Sequence, residues 1–160
     1  MPDMLVKLYD MPEIDLSARM SEEGVVIKRA MALDKCLVAE YVNAHFGTYC
    51  AGWVSECERA IFNTPPSCYI AVKESQIVGF ACYDASAPGF FGPTGVSESM
   101  QGKGIGKALL GRCLESMKEK GYAYAIIGYV TDAVAFYEKA VNATVIEGAS
   151  PDKSVYSNLI

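Results

Sequence analysis

The amino-acid sequence predicts a single α/β domain, built as a twisted mixed sheet of about six to seven strands with helices on both faces. Three observations lead to this fold class. The chain has 160 residues, enough for one domain with a sizeable core. Hydrophobic residues make up 51% and charged residues 21%, as in ordinary globular proteins. The hydrophobic period changes repeatedly along the chain, which indicates alternating strands and helices.

The first half of the chain predicts strands, two helices and then a hairpin. Apolar, β-branched runs place the strands at residues 5–9, 25–30, 68–73 and 77–84. The helices cover residues 34–46 and about 51–62, each with one apolar face. Gly47 ends the first helix, and the second ends before Pro65. Residues 1–24 are interpreted as an N-terminal extension that contributes a short strand.

The second half predicts the clearest helix of the chain, over residues 104–120. Its apolar residues repeat every four positions, and Gly121 lies where a C-terminal cap is expected. A further helix, capped by Thr131 or Asp132, extends to about residue 140. The remaining apolar runs predict strands at residues 90–96, 124–130, 144–146 and 155–159.

Composition excludes several functional classes. The net charge of −5 disfavours nucleic-acid phosphate and mildly favours cationic small molecules. No apolar run reaches the roughly 18 residues that cross a bilayer, and the N-terminus lacks an apolar signal region, so we expect a cytoplasmic protein without membrane contact. Six scattered cysteines and a single histidine form no cluster with metal-ligand spacing. We expect free, mostly buried thiols and no metal.

The most informative segment lies between a predicted strand and the clearest helix. It reads Val-Ser-Glu-Ser-Met-Gln-Gly-Lys-Gly-Ile-Gly-Lys over residues 96–107. The first turn of a helix leaves backbone N–H groups without partners and carries the positive end of the helix dipole. Glycines let an anion approach these groups closely, and Lys103 and Lys107 add positive charge. The segment therefore predicts a phosphate site.

Spacing decides which phosphate ligand the segment fits. A nucleotide P-loop requires glycine where Gln101 lies, and Ser or Thr where Ala108 lies. The dinucleotide pattern G-x-G-x-x-G fails as well, because no register of it finds three glycines. The pattern that fits is Q-x-x-G-x-G, formed by Gln101, Gly104 and Gly106.

Two motifs, in this order, resemble the GNAT N-acyltransferase family. Q/R-x-x-G-x-G/A between a strand and a helix is that family's acyl-CoA pyrophosphate loop. Residues 133–139, Ala-Val-Ala-Phe-Tyr-Glu-Lys, look like its A-x-x-F-Y-x-K helix. The resemblance covers about residues 25–160 and implies a GNAT-like domain that uses acetyl-CoA. Glu98 and Val130 depart from the family pattern, which often has proline and asparagine there.

The resemblance also implies residue roles. The loop backbone would hold the pyrophosphate, and Val96 would bind the pantetheine arm where strands 90–96 and 124–130 splay apart. The implied cofactor-binding residues are Val96, Gln101, Gly102, Lys103, Gly104, Ile105, Gly106 and Lys107. Tyr137 would lie near the thioester sulfur, where a phenol can protonate the departing thiolate. Its alternative role is that of a packed aromatic side chain on an amphipathic helix.

The general base and the acceptor are less defined. Glu98, Asp84 and Glu56 are carboxylates that could act through water, although each is more commonly a surface charge; His45 is a weaker candidate. The expected pocket residues are Trp53, Glu56, Tyr83, Asp84 and Tyr129. The acceptor would be a small-molecule or peptide amine, and homodimers are common in the family.

The predicted function is therefore transfer of an acetyl or other short acyl group from acyl-CoA to a primary amine, by direct attack in a ternary complex. Two alternatives stay open. One is a catalytically idle acyl-CoA sensor, and the other is a nucleotide-using transferase, which would need a magnesium site that the sequence does not provide.

Overall fold

The predicted alternation of strands and helices is confirmed by a computed structural model, which describes residues 1–158. The strands are β1 (Met4–Lys7), β2 (Val26–Arg29), β3 (Cys68–Lys73), β4 (Gln76–Tyr83), β5 (Phe90–Val96), β6 (Tyr124–Ile127) and β7 (Thr144–Val145). The helices are α1 (Ser17–Glu22), α2 (Lys35–Phe46), α3 (Gly52–Ile61), α4 (Ile105–Glu119) and α5 (Val134–Val141). No helix among these residues is long and apolar enough to cross a membrane.

All seven strands form one mixed sheet in the order β2-β3-β4-β5-β6-β1-β7. Neighbouring strands are antiparallel except β5 and β6, which are parallel. The N-terminal strand β1 lies between β6 and β7, with Met4 opposite Ile127 on one side and Val145 on the other. The segment interpreted as an extension therefore supplies an interior strand of the sheet.

The sheet separates two apolar cores. The first is formed with α4 and includes Val6, Leu109 and Met117, all fully buried. The second lies under α2 and α3 and includes Val38 and Phe80. Successive side chains on the inner strands pack alternately into the first and the second core, because neighbouring side chains of a strand point to opposite faces of the sheet. All six cysteines are free; Cys36 is exposed, Cys50 is intermediate and the other four are buried.

Several predicted boundaries are wrong. The strand predicted over residues 155–159 is instead a 3₁₀ turn at Val155–Asn158, and residue 159 lies outside the described residues. Strand β1, from the other end of the chain, already pairs with both β6 and β7. The strand predicted to reach residue 130 ends at Ile127, because Tyr129 adopts a left-handed backbone with φ 56°. Helix α1 was not predicted from the sequence.

The start of α5 also differs from the prediction. Ala133 precedes its first residue, and no side chain caps the helix, so neither Thr131 nor Asp132 serves as the cap. Hydrogen bonds from this connection to the Asp3 side chain and the Pro2 backbone hold it instead. The Tyr129 N–H donates to Asp3 Oδ1 at 2.9 Å, and the Val130 N–H donates to the Pro2 carbonyl at 2.9 Å.

Candidate active site

A cleft opens where the two parallel strands separate. Strands β5 and β6 pair at only two positions, Phe90 with Ile126 and Phe91 with Ile127. Beyond them β6 ends, whereas β5 continues to Val96, which pairs with Gly79 of β4 on its other side. Over residues 92–96, β5 thus has no ladder to β6 among the described residues. Backbone groups at such an edge can bond an extended ligand.

The loop after β5 has the backbone shape that its glycines permit. Gly102 and Gly104 have φ values of 76° and 85°, in the left-handed region that other residues rarely adopt. Gly104 directly precedes α4, and no side chain caps that helix. The first N–H groups of α4 therefore lack intrahelical partners, as required of an anion site. The Gln101 amide folds back and donates to the Val96 carbonyl at 3.3 Å.

The remaining residues of the predicted loop have unequal roles. Ile105 is 1% exposed, so its side chain belongs to the core and only its backbone can serve a ligand. A Cβ at Gly106 would lie 3.7 Å from a Val96 methyl group, an ordinary contact, so this position is close to the end of β5. Lys107 is half-buried on the first turn of α4.

The charge beside the loop comes partly from an unexpected residue. Lys103 forms an ion pair with Glu23 at 2.9 Å, and this hydrogen bond lowers the pKa of the Glu23 carboxyl. Arg19 of α1 donates from Nη2 to the Gly102 carbonyl at 3.0 Å. The two partners are 83 positions apart in the chain, so no local sequence pattern could have indicated Arg19.

Tyr137 lies at the closed end of the cleft. Its ring packs edge-on against Phe91, the last β5 residue paired with β6, with centroids 6.2 Å apart. The residue is 7% exposed, and burial raises the pKa of Tyr137 to about 12. Burial is the cause of this shift, and no charged or hydrogen-bonding group among the described residues contributes to it.

A second group of predicted residues gathers on the α2–α3 side of the sheet. Glu56 of α3 accepts a hydrogen bond from Ser86. Burial raises the pKa of the Glu56 carboxyl, and the Ser86 hydrogen bond opposes this shift. Burial, and after it the nearby Glu56 charge, raises the pKa of Tyr156 to about 12. The Tyr156 ring packs edge-on against Tyr129 at 6.1 Å and Phe90 at 6.4 Å. The structure thus brings Glu56 and Tyr129 to one neighbourhood through Tyr156, which the sequence had not indicated.

Trp53 of α3 lies on this same face. Its ring packs against Phe46 at 5.5 Å and Phe80 at 5.9 Å, and these two rings are themselves neighbours. The indole therefore packs against the second core as a half-buried side chain, and its expected role in an acceptor pocket stays a prediction.

Two other predicted pocket residues have structural roles. The Tyr83 hydroxyl accepts a hydrogen bond from Arg29 at 3.0 Å on the α4 side of the sheet. The Asp84 carboxylate accepts from the Gly89 N–H and the Lys120 ammonium, both at 2.7 Å, at the end of β5 opposite Val96. A carboxylate bound in this way closes a turn and is poorly placed to take a proton from an amine.

Glu98 and His45 border a different opening. With Ser97 and Ser99 they line an open pocket of about 460 Å³ beside the end of β5. Glu98 is exposed in a 3₁₀ turn, and Ser97 is held by a 2.7 Å hydrogen bond to the Tyr41 hydroxyl. Within residues 1–158, no three His, Cys, Asp or Glu side chains gather as metal ligands.

Comparison with known proteins identifies the family. Residues 35–142 match the family described as the acetyltransferase (GNAT) family, which is more than half of the chain. The chain belongs to the GNAT acetyltransferase family. No curated protein matches the sequence significantly.

Solved GNAT structures share the fold at low sequence identity. A GNAT acetyltransferase from Sphaerobacter thermophilus is 23% identical with a TM-score of 0.67, covering 91% of this chain and 48% of that one. A glucosamine N-acetyltransferase region of a fungal multi-domain β-N-acetylglucosaminidase is 13% identical with a TM-score of 0.71, covering 91% and 19%. The chain thus spans half or less of the length of these two proteins.

A Brucella melitensis GNAT acetyltransferase, solved with acetyl-CoA, is 17% identical with a TM-score of 0.56, covering 79% of this chain and 91% of that one. The open edge of β5 suits an extended amide-containing arm, and the uncapped start of α4 beside two left-handed glycines suits a diphosphate.

Proposed function

We propose that the protein transfers an acetyl group from acetyl-CoA to a primary amine within a ternary complex. The position of Tyr137 is the main support. Its phenol lies at the closed end of the cleft, packed against the last paired residue of β5. Membership in the GNAT acetyltransferase family supports acetyl-CoA, a thioester, as the acyl donor.

The proposed reaction is attack of the amine on the thioester of acetyl-CoA, with Tyr137 as the proton donor. The amine nitrogen bonds to the thioester carbonyl carbon, and the carbon–sulfur bond breaks. The departing thiolate takes a proton from Tyr137, whose raised pKa keeps it protonated at neutral pH. Tyr137 then regains a proton from solvent, and the new amide nitrogen releases its second proton to solvent.

Glu56 is proposed as the base. It takes a proton from the substrate's ammonium group, directly or through a water molecule, so that the neutral amine can attack. Its burial raises its pKa toward the range in which a carboxylate is a useful base. Tyr156, whose pKa the Glu56 charge helps to raise after burial, packs with Tyr129 and Phe90, and such aromatic rings can attract a cationic amine. The alternative base is Glu98, which lines the open pocket that also contains His45.

The backbone of β5 and the loop would bind the cofactor. The free edge near Val96 would bond the pantetheine amides, and the N–H groups that begin α4 would hold the diphosphate. Gln101 contributes indirectly in this proposal, because its side chain ties the loop to the Val96 carbonyl.

The test compares Tyr137→Phe with Tyr124→Phe, an exposed tyrosine that packs on Tyr9 at the other end of β6. Thiol release from acetyl-CoA is followed across a panel of primary amines. Loss of a general acid should lower kcat about 100-fold for Tyr137→Phe, with little change in acetyl-CoA affinity. Tyr124→Phe should behave as wild type.

Calorimetric titration with acetyl-CoA, together with the activity assay, distinguishes three outcomes. Failure of the wild-type protein to bind acetyl-CoA would reject the proposal. Binding without turnover of any amine would favour an acyl-CoA sensor. Full activity of Tyr137→Phe would show that Tyr137 is not the general acid.

A further inference from the structure

Arg19 is held against the phosphate loop by a segment that packs along α4. The backbone of Gly111 leaves room for Ile14, whose side-chain atoms lie within 2.9 to 3.0 Å of where a Cβ would be. Met20, one residue after Arg19, is 5% exposed within the first core. These apolar contacts on both sides of Arg19 fix the position from which its exposed side chain extends.

The Arg19 side chain lies at the start of α4. Its Cδ, Nη1 and Cζ atoms are 3.4 to 3.5 Å from the point that a Cβ on Gly104 would occupy. Its Nη2 group donates to the Gly102 carbonyl at 3.0 Å. The arginine side chain therefore packs against Gly104 at van der Waals distance, and several N–H donors of the guanidinium remain for another partner.

The charges around the loop differ in how far they are neutralised. Lys103 is paired with Glu23 at 2.9 Å, whereas no ion pair of Arg19 is found in residues 1–158. A guanidinium beside the positive end of a helix dipole is electrostatically unfavourable by itself. An anion between the two would be attracted by both. Within the described residues, Lys103 thus has an ion-pair partner at the loop, whereas Arg19 and Lys107 have none. Lys103 is the main cause of the lowered pKa of Glu23, and the Arg19 charge contributes to it as well.

We infer that Arg19 contacts the diphosphate of bound acyl-CoA, so that the N-terminal segment before β2 forms part of the cofactor site. The inference rests on the proposed acyl-CoA binding. A guanidinium is suited to this contact because its planar N–H donors match two phosphate oxygens at once.

The experiment is calorimetric titration of acetyl-CoA into wild type, Arg19→Gln, Arg19→Lys and the control Lys118→Gln. Lys118 is an exposed cation in the last turn of α4, away from the loop. Loss of a charged hydrogen bond should weaken binding about 10-fold or more for Arg19→Gln. Arg19→Lys should recover part of this loss, and Lys118→Gln should match wild type.

Salt distinguishes a phosphate contact from a role in shaping the loop. The difference between wild type and Arg19→Gln should be large at about 20 mM salt and should shrink at about 500 mM, because ions screen an exposed charge contact. A difference that salt does not change would assign Arg19 to loop structure and overturn the inference. Thermal unfolding of each variant verifies that the fold is intact.

A second probe identifies the phosphate group. Dephospho-CoA lacks the 3′-phosphate but keeps the diphosphate, so Arg19→Gln should weaken its binding by the same factor. Disappearance of the effect with this probe would overturn the diphosphate assignment. Equal acetyl-CoA affinity of wild type and Arg19→Gln would refute the inference alone, whereas a wild type that binds no acetyl-CoA would refute the proposed function.

Discussion

At the residue scale, burial keeps the Tyr137 phenol protonated. The side chain is 7% exposed, and its pKa rises to about 12 because the charged phenolate would be poorly solvated. The neutral phenol is the form that donates a proton. Tyr137 can therefore remain a general acid throughout the neutral range, while pH dependence of the rate there would come from other groups, with Glu56 the first to examine.

The same shift predicts that the wild type loses more stability in alkali than Tyr137→Phe does. The folded pKa lies above the unfolded value of about 10, so the unfolded chain releases this proton first as pH rises. The stabilisation is complete below about pH 10, and about 1 kcal/mol of it is lost by about pH 11. Urea unfolding at neutral pH and at about pH 11 measures this. An equal loss in both proteins would contradict the assignment.

At the element scale, α2 meets β5 through a contact that only glycine allows. The Phe46 ring lies so close to Gly95 that a Cβ there would come within 2.6 to 2.9 Å of three ring atoms. Gly95→Ala should therefore displace Phe46 and reduce the free energy of unfolding by about 1–3 kcal/mol. Urea unfolding measures the change.

Gly52→Ala is the matched control, since nothing lies within 4 Å of its Cβ position and alanine favours a helix. It should be neutral or slightly stabilising. Adding Phe46→Leu to Gly95→Ala should relieve part of the clash, and a double variant less stable than the sum of both changes would argue against this contact as the cause.

At the scale of the whole molecule, the two ends of the chain depend on each other. Strand β1 pairs with β6 and β7, and Met4, Val6 and Leu8 are fully buried. Met4→Ala should cost about 2–5 kcal/mol of unfolding free energy, because it leaves a cavity in the core. Met31→Ala, at a side chain that is 59% exposed, should cost little. Equal effects of the two changes in urea unfolding would show that β1 is dispensable.

Strand β1 also connects the fold to the cleft. Asp3 and Pro2 bond the backbone of Tyr129 and Val130, the segment that faces the open end of β5. Val130 replaces the asparagine that the family often has, so these N-terminal bonds hold a segment that lacks this side chain. The first residues of the chain therefore shape both the sheet and the site.

Features that depend on neighbouring residues were predictable from the sequence. Helix α4 was predicted within one residue at each end, because its apolar repeat and its flanking glycines are local signals. The glycine loop was predicted for the same reason, since left-handed backbone at Gly102 and Gly104 favours this residue type. With the Phe-Tyr motif of α5, these signals sufficed for the family.

Long-range pairing was decided only by the tertiary structure. An apolar run at residues 155–159 has the composition of a strand, but whether it joins the sheet depends on which segment pairs beside β6, and β1 does so. In the same way, the sequence does not distinguish Lys103 from Arg19, because each is simply a cationic side chain. Their partners, Glu23 and the Gly102 carbonyl, lie about 80 residues away and give them different roles. Local sequence encodes backbone conformation, whereas the partner of a charge or of a strand edge is determined by the packing of the whole chain.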